Sequence, residues 1–297
     1  MNTHLSLLLV GLLSTLPAIA GADTLERVRS SHTLTLGYLP DFAPFSSDSG
    51  GKPEGYAIEL CNQVADYLRH QPGLDAVKVQ FKAVSRAESI TAVSSGSIDL
   101  LCTPTPQTLE RRKTVSFSIP VYTAGLAAVV RQNAADDLVR VLNGETAHEG
   151  PTWRATINRG IARHTFATTA GGVTEAWIHQ QVNRLGVVVN LISVSNDADG
   201  VRQVAQGNAD AFFSERMLLK HYLSQDPDGA KLKVLNRIFD YSPTAMALPR
   251  GDEDFHLLVD SALSALYRSG EIDQAYSRYF GPPDKTLQDL HKVYALP

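Results

Sequence analysis

Two widely separated stretches of this chain follow one plan. Gly96-Ser97-Ile98-Asp99-Leu100-Leu101-Cys102-Thr103 and Gly207-Asn208-Ala209-Asp210-Ala211-Phe212-Phe213-Ser214-Glu215 each set a glycine stop, an aspartate three residues on, a short apolar run and then hydroxyl groups. An apolar run of that length closed by polar residues suits a buried parallel strand ending in a loop. A chain that builds the layout twice is expected to be α/β with two lobes. Open α/β sheets bind ligands beyond their strands' carboxyl ends, so the cleft between the lobes is the expected ligand site.

The first copy runs on through Gly96 to Tyr122. Its apolar run breaks at Thr103, Pro104, Thr105 and Pro106, read here as a loop, and Gln107, Thr108, Arg111 and Arg112 follow. Such a loop can grip a small anion, with Arg111 as a bidentate fork for a carboxylate. Taken alone, the same run also reads as a solvated charge cluster opening a helix. Upstream, Leu34, Leu36 and Tyr38 alternate as a strand, and a helix from Pro53 carries Ala57, Leu60, Cys61, Val64 and Leu68 on one face. Val77 to Ala83 alternates as a second strand, and Arg86 to Ser95 reads as a short helix. Beyond the apolar run Val121 to Val130 the pattern restarts. A helix near Asp136 to Asn143, an irregular stretch from Gly144 to Thr156 and a strand near His164 to Thr169 come first. A tight turn at Gly171 and Gly172 then opens a helix stopped by Gly186, and Val187 to Val194 reads as a strand. Ser242 to Leu248 is expected to return to the first lobe, before a helix capped by Asp252.

With 43% hydrophobic and 20% charged residues, the 297-residue chain is ordinary globular material, and a formal charge of −4 offers no basic face for nucleic acid. A small-molecule partner is the expectation. Residues 1–22 read as a secretory signal, with an apolar run from Leu5 to Ala20 ending in Ala18-Ile19-Ala20. Export without a lipid anchor places the mature protein in the periplasm. Cys61 and Cys102 are then a candidate disulfide, two buried free thiols being the alternative. Phosphate-loop, GxGxxG, GxSxG and HExxH signatures are absent, and neither cofactor nor metal is expected, although His148, His164 and His179 remain as scattered imidazoles. Asp41, Glu88, Glu175 and Glu215 are the carboxylates from which an acid and base pair would have to come.

The chain resembles the bacterial extracellular solute-binding proteins of family 3, receptors of polar amino-acid uptake transporters. The resemblance is carried by GYLPDFAPFS, KPEGYAIELCNQV, SGSIDLLCTPTPQTLERRKTVSFSIPVYTAG, GGVTEAW, GNADAFFSER and ALYRSGEIDQAYSRYFG. It implies a type II periplasmic-binding fold, with residues 23–122 and 241–297 as lobe 1, 127–236 as lobe 2, and a hinge near 123–126 and 237–240. It also implies a monomeric, non-enzymatic receptor that closes on an amino acid or related carboxylate and hands it to a membrane ABC permease. A sensing module of the same fold is the alternative, and a prephenate or arogenate dehydratase a more distant one. By the same resemblance Arg111 clamps the ligand carboxylate, Phe42 packs on its aliphatic part, and Thr103, Thr105 and Thr108 offer hydrogen bonds. Gly172, Val173 and Thr174 supply amides, and Glu215 stands where the family has an aspartate for the ligand ammonium. The chain departs from the pattern at Pro106, at Gly172 and Val173, and at Ser89, for which Arg86 is the expected substitute.

Overall fold

Asp99 and Asp210, the aspartates of the repeated stretch, do the same job in the two halves of the molecule. Asp99 Oδ2 accepts the Thr35 amide at 2.8 Å while its own amide donates to the Thr35 carbonyl at 2.8 Å. Asp210 Oδ2 accepts the Thr165 amide at 2.9 Å, and its amide donates to the Thr165 carbonyl at 2.7 Å. Each carboxylate also meets an arginine, Arg27 and Arg131 respectively. The aspartate therefore clips the start of one strand to its parallel neighbour and satisfies an amide that the ladder leaves over. Gly96 and Gly207, at φ 71° and 80°, make the left-handed turn that delivers it.

The computed structural model describes residues 23–146 and 160–297. The expected signal segment and most of the irregular stretch after Gly144 lie outside them. In the first half the sheet order is Lys78–Ala83, Thr33–Tyr38, Leu100–Pro106, Asp240–Pro249; in the second it is Asn190–Val194, Thr165–Thr169, Ala211–Glu215, Tyr122–Arg131. In each, three parallel strands are followed by one antiparallel strand. The long strands Tyr122–Arg131 and Asp240–Pro249 pair with each other from Tyr122↔Thr244 to Leu126↔Asp240, so both halves share one continuous sheet. This is the mixed α/β architecture of type II periplasmic-binding proteins.

The loop expected at Thr103 to Pro106 is instead strand, because Asp240–Pro249 pairs with it across an irregularity between Ala245 and Ala247. Its other neighbour, Thr33–Tyr38, is in register only at Leu100 and Leu101, so the prolines sit where no second ladder needs an amide. The strand read from Val187 shrinks to Asn190–Val194. Helices Thr24–Ser31, Arg216–Gln225 and Lys285–Tyr294 are not among the elements read from the sequence; Asp284 caps the last by accepting the Leu287 amide at 2.8 Å.

One large core, including Leu34, Leu36, Leu60, Val64, Leu100 and Phe255, fills the first half, while two clusters cover the faces of the second half's sheet. Leu218, on helix Arg216–Gln225 of the second half, is buried in the first half's core, and the Tyr222 hydroxyl on that helix donates to the Asp41 carbonyl at 2.8 Å. The halves thus touch through side chains as well as through the sheet. Cys61 and Cys102 are bonded, tying helix Tyr56–Arg69 to strand Leu100–Pro106. Among the described residues no helix is long and apolar enough to cross a membrane.

Candidate functional site

Strand carboxyl ends from both halves converge on one cavity of about 750 Å3. Leu39 follows strand Thr33–Tyr38, Thr103 to Pro106 end strand Leu100–Pro106, Thr169 ends strand Thr165–Thr169 with Gly171 to Thr174 after it, and Ser214 and Glu215 end Ala211–Glu215. This is where parallel strands leave carbonyls and helix amides unsatisfied by the sheet. Of the residues read in the sequence for the ligand, Phe42, Arg86, Thr103, Thr105, Thr108, Arg111, Gly172, Val173, Thr174 and Glu215 line it, whereas Gln107 and Arg112 do not: Arg112 donates to the Gln107 side chain and lies over the Phe117 ring.

On the first wall, the Thr105 hydroxyl donates to the Thr103 carbonyl at 2.9 Å, and Thr103 Oγ1 lies 3.3 Å from Ser46 Oγ. Thr108 Oγ1 accepts the Arg111 amide at 3.2 Å, while Arg111 Nη1 donates to the Pro106 carbonyl at 3.1 Å. Pro106 has no amide to offer a ligand, yet its carbonyl orients the guanidinium. Arg111 faces no carboxylate among the described residues. Burial, with the charge of Arg86 nearby, pulls its pKa down from the usual arginine value. Arg86 differs: its Nη2 lies 2.9 Å from Asp197 Oδ2 and its guanidinium sits 4.8 Å from the centre of the Phe42 ring.

The second wall is a turn and a helix start. Gly171, at φ 68°, and Gly172 lead into helix Val173–Leu185, whose first amides have no side-chain cap. Uncapped amides at a helix start favour an anion. Beside them the Thr169 hydroxyl is buried without a hydrogen-bond partner among the described residues.

Glu215 is held by its own helix. Its Oε2 accepts the Met217 and Leu218 amides at 2.6 and 3.0 Å, capping Arg216–Gln225, and its Oε1 accepts the Tyr122 hydroxyl at 2.9 Å. Burial pushes its pKa up to about 7, against the opposing pull of hydrogen bonds from Leu218, Tyr122, Met217 and Gly125. An acid whose folded pKa is raised binds its proton more tightly in the native state, so native stability falls as pH rises from about 4.5 to about 7. Ligand-free protein is expected to lose ~3 kcal/mol from this group across that window. Glu215→Gln should remove that slope, which urea titrations at a series of pH values would read; an unchanged slope would place its origin elsewhere.

Other sequence candidates fall apart. Glu88 bonds Ser85, Glu175 bonds Ser193 and the Gly171 amide, and none of Asp41, Glu88 and Glu175 is part of the cavity wall, so these three do not join Glu215 there as an acid and base pair. His164 bonds Asp210, and His148 lies outside the described residues. No group of three or more metal-binding side chains occurs among the described residues. Tyr122, Thr169, Trp177, Ser214 and Asp197, none of them assigned to the ligand from the sequence, also line the cavity. Thr169 ends one parallel strand of the second half and Asp197 opens the helix that follows another, so both were findable.

Relatives agree with this architecture. The chain is 25% identical over 283 residues to an L-glutamate/L-aspartate-binding protein of Pseudomonas aeruginosa, covering 94% of this chain and 87% of that protein. It is 26% identical over 226 residues to a glutamine-binding protein of Geobacillus stearothermophilus, covering 75% of each. The crystal structure of the ancestral amino acid-binding protein AncCDT-1, a precursor of cyclohexadienyl dehydratase, superposes with a TM-score of 0.68 at 25% identity. It covers 87% of this chain and 100% of that one. Bacterial extracellular solute-binding proteins, family 3, match residues 34–282, and the chain belongs to that family.

Proposed function

We propose that this protein is a periplasmic receptor that captures an amino acid by closing two lobes on it and presents the closed form to an ABC permease. One observation carries the reading. Among the described residues, Arg111 and Glu215 line the same cavity from different halves, and neither faces an oppositely charged side chain. A guest with a carboxylate for one and an ammonium for the other completes both. The uncapped amides at Val173 and Thr174 and the unpartnered Thr169 hydroxyl offer the same carboxylate donors from the second wall. In this reading residues 23–122 and 241–297 move against 127–236 about a hinge near 123–126 and 237–240. The amino-acid-binding names of the relatives point the same way.

A thermal-shift screen of the purified mature chain against the common amino acids tests it. At least one is expected to raise the melting temperature by several degrees, since a ligand bound only by the native state stabilises it. No shift with any of them would overturn the reading. The proton held by Glu215 near neutrality favours one other reading, a dehydratase acting on a cyclic acid. The receptor reading expects no turnover of prephenate or arogenate, and steady product formation would reverse that order.

A further inference from the structure

Two arginines line the cavity, an arrangement that invites a ligand with two carboxylates. The contacts argue against it. Arg86 already has its anion inside the protein: Asp197 Oδ2 lies 2.9 Å from its Nη2, and Asp197 is only 1% exposed. One face of the same guanidinium is covered by Phe42. Ser214 donates its hydroxyl to Asp197 Oδ1, and Asp197 opens helix Asp197–Ala205, where the amino-end dipole favours a negative charge. Asp197 is thus fixed from three sides and holds Arg86 against the second half.

With that pair cancelled, and Glu110 paired with Lys113, the wall has Arg111 on the positive side and Glu215 and Asp240 on the negative. A second ligand carboxylate would meet like charge with no free cation to receive it, and like-charge juxtaposition is heavily penalised. We infer that the site selects ligands with a single carboxylate, neutral or cationic overall, and that Asp197 sets this selectivity by occupying Arg86. The inference rests on the amino-acid reading above and goes beyond it.

The test is displacement of the tightest-binding amino acid from the mature protein at pH 8 by two near-isosteric pairs, L-glutamine against L-glutamate and L-asparagine against L-aspartate. Each pair differs by one charge. The amide is expected to displace at least ~10-fold more effectively than the acid in at least one pair. Equal displacement within both pairs, none by any of the four, or stronger displacement by the acids overturns the inference. The amino-acid reading falls separately, when no amino acid binds at all.

Two variants then assign the cause. Asp197→Asn, which keeps volume and an acceptor for Ser214, is expected to shift the amide-to-acid ratio at least ~10-fold toward the acid by freeing Arg86. Arg86→Gln leaves Asp197 uncompensated and is expected to shift the ratio the other way. Because the readout is a ratio, a general loss of affinity does not mimic either result. Should Asp197→Asn fail to fold, Arg86→Gln alone decides, and a ratio unmoved in a folded variant removes Asp197 from the role.

Discussion

Arg111→Ala is expected to abolish ligand-induced thermal stabilisation while the ligand-free protein melts as before. Among the described residues the side chain makes one hydrogen bond, to the Pro106 carbonyl, and its removal also relieves a buried charge, so intrinsic stability should change by only about 1 kcal/mol. Its removal from a bound ligand is a different matter, because a carboxylate in a partly desolvated cavity loses its counter-charge. Truncating one partner of a buried, hydrogen-bonded charge pair costs about 2–5 kcal/mol, roughly 30-fold to several thousandfold in affinity. Arg111→Lys should recover part of this, since it restores the charge without the planar fork. Calorimetry on the variants reads both effects, and wild-type affinity in Arg111→Ala would remove the residue from the site.

The second large effect concerns the scaffold. The Cys61–Cys102 bridge spans 41 residues, and the chain-entropy model gives such a loop ~4 kcal/mol of stabilisation. Replacing both cysteines by serine should lower the stability of oxidised protein by about that amount in denaturant titrations. The strand it anchors, Leu100–Pro106, carries Thr103 and Thr105 into the cavity, so ligand affinity should weaken with it. A loss under about 1 kcal/mol would mean that the bridge constrains little in the unfolded chain.

Much of this was legible in the sequence because the informative residues are those whose local chemistry allows few alternatives. The glycine and aspartate of the repeated stretch announced two equivalent strand starts, and the structure puts Asp99 and Asp210 on equivalent amides of neighbouring strands. Alternation and helical spacing located Thr33–Tyr38, Lys78–Ala83 and Tyr56–Arg69 to within a few residues. Pro104 and Pro106 misled, because local propensity marks a break while the bulged pairing with Asp240–Pro249 tolerates them. Helix Arg216–Gln225 has no Ser, Thr, Asp or Asn at its cap position to mark it; Glu215, read from the sequence as a ligand residue, is the cap that begins it. Long-range pairings, Arg86 with Asp197 and Tyr122 with Glu215, join residues 111 and 93 positions apart. No periodicity within one segment reports such a meeting. That is why Arg86 read as a ligand residue from sequence, whereas in the folded protein its nearest charge is Asp197.

A crystal structure of the protein with the strongest ligand from the thermal-shift screen would show whether Arg111 and Glu215 hold one guest between them. The ligand carboxylate is expected in a two-pronged contact with Arg111 and within reach of the Val173 and Thr174 amides, with its ammonium against Glu215. A ligand seated elsewhere, or one in the cavity that leaves Arg111 untouched, would contradict it.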